Sequence, residues 1–213
     1  MRAARRRSWR EGRFVAIDVE TTGLDPSRHE VISFAAVPIE QGRVVPGETV
    51  RGLVRPSAPP PASSIEIHGL RARDLAAAPP APEALEPLVA ALRERIPVAH
   101  AAWVERGFLA PQLSALGSRL PRRMVDTAVL WRQLSIERER GDPGQRGLAE
   151  VAAELGLPSH RPHQAEGDAL TTAQAFLALA THLEAHGRGR VRDLTDAAWH
   201  VRAWRRWHPD GLP

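Results

Sequence analysis

The chain contains no cysteine, no lysine and no tyrosine. Without thiols it can form no disulfide, no zinc–thiolate centre and no cysteine nucleophile. Without lysine, all 29 of its strongly basic side chains are arginine. That bias, alongside abundant alanine and proline, fits a coding composition as well as it fits a function, so the isoelectric point near 11.1 carries little weight. Aromatic residues make up only 5% of the chain. No apolar run approaches the roughly 18 residues that span a bilayer. Residues 1–10 hold adjacent arginines but lack the apolar segment of a secretory or twin-arginine leader. A soluble, cytoplasmic protein with no membrane association is expected.

The 213 residues suit one domain, and 43% hydrophobic content is ordinary for a chain with a buried core. A net charge of +4 fits a polyanionic partner, and equally an arginine-rich solvated surface. Three regions are expected: a basic, poorly ordered tail over 1–12, a main domain over 13–186, and an Arg/Trp-rich extension over 187–213. The extension carries Trp199, Trp204 and Trp207 among arginines on a predicted helix, a candidate docking surface for another protein.

Residues 14–20 form a β-branched apolar run that stops at the turn-forming Thr22-Gly23-Leu24-Asp25-Pro26. Strands are predicted over 31–39 and 44–54, then a proline-rich loop over 56–62. Leu85, Leu88, Val89, Leu92 and Ile96 follow helical spacing. A short buried strand is predicted over 97–100, a helix carrying Phe108, Leu109, Leu113 and Leu116, a strand over 124–126 and a helix over 127–134. Leu148, Val151, Ala152 and Leu155 mark another helix, and a long one is expected from about 166 to 185. Three early strands followed by strands alternating with helices is an α/β order with a mixed sheet.

Asp18 and Glu20 stand two residues apart at the end of the first strand, so both side chains project from one face. Carboxylates side by side repel one another, and a bound divalent cation relieves this. Hard oxygen ligands suit Mg²⁺ or Mn²⁺ rather than zinc. A strand ending in two solvated acids is the alternative at this level.

The run Ile17-Asp18-Val19-Glu20-Thr21-Thr22-Gly23-Leu24 resembles the first motif of the DnaQ-like (DEDDh) 3′→5′ exonuclease family, whose D-x-E-T-T-G core opens a ribonuclease-H-like sheet. His163-Gln164-Ala165-Glu166-Gly167-Asp168-Ala169 resembles the family's H-x-A-x-x-D-A. Residues 98–109 align with H-N-x-x-F-D-x-x-F-L and depart from it: Ala101 replaces asparagine, Val104 phenylalanine and Glu105 aspartate. Ile67-His68-Gly69-Leu70 and Asp126-Thr127 are further, shorter matches. The resemblance runs over about 13–183, and its first motif and His-Gly-Leu segment are closest to polymerase-associated, epsilon-like members.

The resemblance implies a mixed five-stranded ribonuclease-H-like sheet flanked by helices. It implies two ions, Mg²⁺ or Mn²⁺, held by Asp18, Glu20, Glu105 and Asp168, with His163 as general base. Glutamate at 105 keeps the charge and oxygen donor while reaching one methylene further. Thr21, Thr22 and Gly23 are expected at the terminal nucleotide, glycine letting the backbone approach a ligand. His100 is either structural or in touch with substrate, and Trp103 either stacks on a base or belongs to a helix core. The arginines at 2, 5, 6, 7 and 10 are candidate phosphate contacts. The implied activity is removal of nucleotides from the 3′ end of single-stranded or frayed nucleic acid, DNA being favoured over RNA. An exoribonuclease of the same family is one alternative, and a catalytically weak binding or scaffold module another. A polymerase is the implied type of protein partner.

Overall fold

A computed structural model of the chain describes residues 7–197. Trp199, Trp204, Trp207 and the helix expected to carry them lie outside the described residues, as does most of the basic cluster at the start.

The sheet is mixed, as expected. Strands β1 (Arg13–Thr21) and β2 (Val31–Glu40) pair antiparallel along nearly their whole length. β3 (Arg43–Val44) and β4 (Val50–Leu53) both pair antiparallel with β2, at opposite ends of it. They are two pieces of the single returning strand predicted over 44–54, interrupted because Pro46 and Gly47 sit in a 3₁₀ turn, Pro46–Glu48. β5 (Ile96–Ala99) runs parallel to β1, and β6 (Val125–Asp126) parallel to β5. Six strand segments thus fill the five positions expected.

Nine helices cover the sheet among the described residues: α1 (Ala62–His68), α2 (Ala72–Leu75), α3 (Ala81–Ala84), α4 (Glu86–Leu92), α5 (Trp103–Ala115), α6 (Thr127–Glu137), α7 (Leu148–Glu154), α8 (Ala165–Ala185) and α9 (Val191–Thr195). The helix predicted to reach Ile96 stops at Leu92. Glu94 adopts a left-handed φ of 58°, and Ile96, preceding Pro97, is disfavoured in the α region and enters β5 instead.

β1 is buried on both faces, and alternation divides its side chains. Val15, Ile17 and Val19 join Leu88, Phe108, Leu109 and Leu113 beneath α4 and α5. Phe14 and Ala16 pack on the other face with Leu130, Leu134, Ala169, Ala173 and Phe176 of α6 and α8. Continuing the second series places Asp18 and Glu20 on the face that α8 covers. At Glu20/Thr21 the register with β2 slips by one residue, a bulge that redirects the chain where the two acids end.

Of the tail expected over 1–12, the described part, from residue 7, packs against the domain. Trp9 is 1% exposed and meets the ring of Phe176 edge-on at 5.9 Å. Arg10 stacks on Trp9 and pairs with Glu184 at 2.8 Å. The start of the extension also belongs to this layer. Trp9 N–H donates to Gly189 O, Val191 N–H donates to Arg7 O, and Val191 and Leu194 are buried. Hydrophobic burial of one tryptophan decided this, a signal masked in the sequence by the surrounding arginines. Trp9→Ala is expected to lower unfolding free energy by about 3–5 kcal/mol, read by chemical denaturation; a free tail would leave stability unchanged.

Candidate metal centre and active site

Asp18 and Glu20 from β1 and Asp168 from the first turn of α8 each offer a carboxylate oxygen, and these oxygens lie within 4.8 Å of one another. Glu105, on the first turn of α5, is 2% exposed and leaves Oε2 without a hydrogen-bond partner. Among the described residues no arginine pairs with any of the four; the nearby Arg51 takes Glu166 and Arg132 takes Asp142.

This crowding shows in the proton affinities. Burial, and then the charges of Glu105, Glu20 and Asp168, hold the Asp18 carboxyl well above its ordinary range. Burial and the Asp168 charge push Glu20 up to about 7. Glu105 is pushed up to about 8, chiefly by burial, with Asp126 adding repulsion. Burial also raises Asp168, opposed by the hydrogen bond it accepts from the His163 backbone. Three convergent oxygen donors lacking a cation partner fit a hard divalent ion. Of the four acids expected as ligands, the structure gathers three and sets Glu105 beside them.

The local folding that places Glu105 begins one strand away. Asp126 ends β6 and caps α6, accepting from Ala128 and Val129 N–H. The same carboxylate accepts from Ala101 N–H at 3.1 Å and Ala102 N–H at 3.0 Å. It therefore fastens the turn from which α5 starts. Ala101 in that turn has φ 57°, a left-handed conformation that costs an alanine roughly 1–2 kcal/mol and that asparagine tolerates better. The missing asparagine was visible in the sequence, but its conformational meaning was not.

His100 braces the same corner. Its Nε2 donates to Arg146 O at 2.8 Å, and Nδ1 lies 2.9 Å from Thr127 Oγ1. Burial lowers its proton affinity, favouring the neutral ring, and both ring nitrogens have protein partners. Of its two readings, the structure favours the structural one. Trp103 is 55% exposed, so it is no part of the core.

His163 is exposed on the loop before α8, with φ 60°. Its backbone N–H donates to Asp168 Oδ2 at 2.8 Å, tying the loop to the acid cluster. Gly167 makes that loop's close approach possible: a Cβ there would stand 2.0 Å from His160 O. Thr171 Oγ1 donates to Gly167 O and accepts from His160 N–H, and His160 Nε2 meets Gln174 Oε1 at 3.0 Å. His160 thus fastens the loop before His163 to α8. Gly167 was missed as a positioning residue, though a glycine inside a helix's first turn was the available signal.

Thr21 Oγ1 donates to Gly23 O at 2.7 Å, and Thr22 Oγ1 accepts from Glu30 N–H at 3.0 Å. A Cβ at Gly23 would strike the His29 ring at 2.5 Å. The His29 ring thus packs against the open face of this glycine. Beside the acids opens a cleft of about 670 Å³, lined by Glu20, Arg51, Leu53, His68 and His163 among others. Arg51 and Leu53, on an unremarkable strand, carried no sequence signal.

A family model described as Exonuclease (RNase_T) matches residues 15–176. The chain belongs to this exonuclease family. It is 34% identical over 177 residues to a DNA polymerase III subunit epsilon-like protein of Rhodobacter capsulatus, covering 82% of this chain and 24% of that one. It is 32% identical over 175 residues to the 3′-5′ exonuclease DinG of Bacillus subtilis, covering 80% of this chain and 18% of DinG. The chain spans about a quarter or less of these relatives' length. Among solved structures, Exonuclease X in complex with 5′ overhanging duplex DNA superposes with a TM-score of 0.66 at 22% identity, covering 86% of this chain and 98% of that one. The expected DEDDh resemblance and ribonuclease-H-like fold are borne out. No helix among the described residues is long and apolar enough to cross a membrane.

Because Glu20 and Glu105 bind protons more tightly folded than unfolded, the folded state holds more protons between pH 4.5 and about 8. Stability in EDTA is therefore expected to fall as pH rises through that window. Added Mg²⁺ or Mn²⁺ should raise the melting temperature by roughly 3 °C or more at pH 8 and by less at pH 5. Melting curves for wild type and Asp18→Asn check this. The variant should show a shallower pH slope and a smaller gain from metal.

Proposed function

We propose that this chain is a metal-dependent 3′→5′ exonuclease. Its substrate is the 3′ end of single-stranded or frayed DNA, and its products are nucleoside monophosphates. The observation that carries this is the convergence of Asp18, Glu20 and Asp168 within 4.8 Å, with the His163 backbone bonded to Asp168.

Asp18, Glu20 and Asp168 would hold one Mg²⁺ or Mn²⁺ ion, and Glu105 would help to place a second. Bound there, such ions supply a more acidic water and neutralise charge on the phosphate and the departing oxygen. His163, exposed beside the cluster, takes the proton of the attacking water on its imidazole. Asp168 keeps the His163 loop in reach of that water through its backbone hydrogen bond. Thr21, Thr22 and Gly23, where the bulge redirects β1, lie against the terminal nucleotide. Trp103 offers its exposed ring for stacking, which is sequence-tolerant because every base has a π-face. His100 serves the site through the corner that supports α5.

A recessed acid cluster admits a single strand more readily than a paired end. The epsilon-like relative and the DNA-bound Exonuclease X favour DNA over RNA. The relatives carry the matched unit within longer chains, and a polymerase or other protein is the type of partner we propose.

The experiment uses 5′-labelled single-stranded DNA and RNA with Mg²⁺, Mn²⁺ or EDTA. Wild type should give a metal-dependent ladder shortening from the 3′ end, faster on DNA. Asp18→Asn should give none, and His163→Ala should lower kcat about 10²–10⁴-fold. Absence of a ladder on both polymers in both metals would overturn the exonuclease reading.

A further inference from the structure

Arg51 of β4 forms an ion pair with Glu166. Glu166 is the second residue of α8, two positions before Asp168. The pair bridges two walls of the cleft that also contains Glu20 and His163, and Arg51 is the only arginine among the residues lining it. Both side chains stay substantially solvated, at 65% and 42% exposure. An exposed pair of this kind adds little to stability, so the fold alone gives no reason for it.

The chemistry of the cleft gives one. Its other formal charges are carboxylates, which repel a polyanionic strand. The acid cluster can serve the scissile phosphate once a cation neutralises it, but the next phosphate along the strand needs a cation of the protein's own. A guanidinium matches phosphate oxygens with two parallel hydrogen bonds. It would equally be drawn to Asp18, Glu20 and Asp168 and compete there with metal. Its pairing with Glu166 instead holds Arg51 at the first turn of α8, where the carboxylate's own charge is favoured by the helix dipole.

We propose that Arg51 is a substrate-binding residue that grips the backbone phosphate upstream of the scissile one, and that Glu166 is its placeholder, displaced when the strand enters. This rests on the exonuclease reading, and its test is separable from that reading.

Binding is measured by anisotropy of a fluorescein-labelled oligothymidylate in EDTA at low salt. Arg51→Ala should weaken Kd about tenfold and Arg51→Lys should restore part of the loss. The slope of log Kd against log salt should fall by about 0.7 in Arg51→Ala. Glu166→Gln should leave Kd unchanged or tighten it. With Mg²⁺ or Mn²⁺, Arg51→Ala should act on KM rather than kcat. The ratio of kcat/KM on the oligonucleotide to that on the p-nitrophenyl ester of thymidine 5′-monophosphate, which lacks an upstream phosphate, should fall about tenfold. Equal losses in Arg51→Ala and Glu166→Gln would overturn the proposal and make the pair a structural brace. So would an Arg51→Ala protein with unaltered Kd and salt slope. A wild type that binds the oligonucleotide but releases no nucleotide defeats the exonuclease reading alone, and the Kd comparison still decides the role of Arg51.

Discussion

Three carboxylates whose oxygens lie within 4.8 Å of one another, with a fourth buried beside them, repel and desolvate each other, and the surrounding fold has to absorb that cost. Buried apolar surface does so. β1 is covered on both faces by helices, and its acids begin only where the apolar alternation ends. The result is a rigid strand terminus that delivers two acids to one side, under the start of a 21-residue helix that brings the third. Stability surrendered at the site is held elsewhere, down to the terminal segments, where Trp9 and Leu194 close the α8 layer.

Small backbone devices set the geometry, and each works on a neighbour of a functional residue. Asp126 fastens two helix starts with one carboxylate and thereby fixes where α5 presents Glu105. Gly167 lets the loop carrying His163 lie against α8. His100 and His160 hold corners by side-chain hydrogen bonds. Histidines therefore divide by environment: His29, His68, His100 and His160 have ring partners within the protein, while His163 presents its ring to solvent beside the acids.

Much of this was legible in the residues. The alternation of β1, the spacing of Asp18 and Glu20, and the pattern around Asp168 are local, and local patterns survive into structure because strand and helix periods dictate facing. What was illegible depended on contacts distant in sequence. Trp9 finds Phe176 across the chain, Arg51 finds Glu166, and Asp126 reaches back to Ala101. The left-handed φ at Ala101 and His163 also leaves no mark in composition, since glycine, the usual signal, is absent from both places. Ile96 was misassigned because helical spacing continued past a backbone break that Pro97 enforced.

The central claim is that the repulsion among these acids is relieved by a divalent cation. Titration with Mn²⁺, following the electron paramagnetic resonance signal of the free ion, addresses it directly. The account predicts saturable binding to wild type that weakens at least about tenfold in Asp18→Asn and in Asp168→Asn, because each loses an anionic oxygen donor. Binding of equal strength in all three proteins, or none in the wild type, would contradict it.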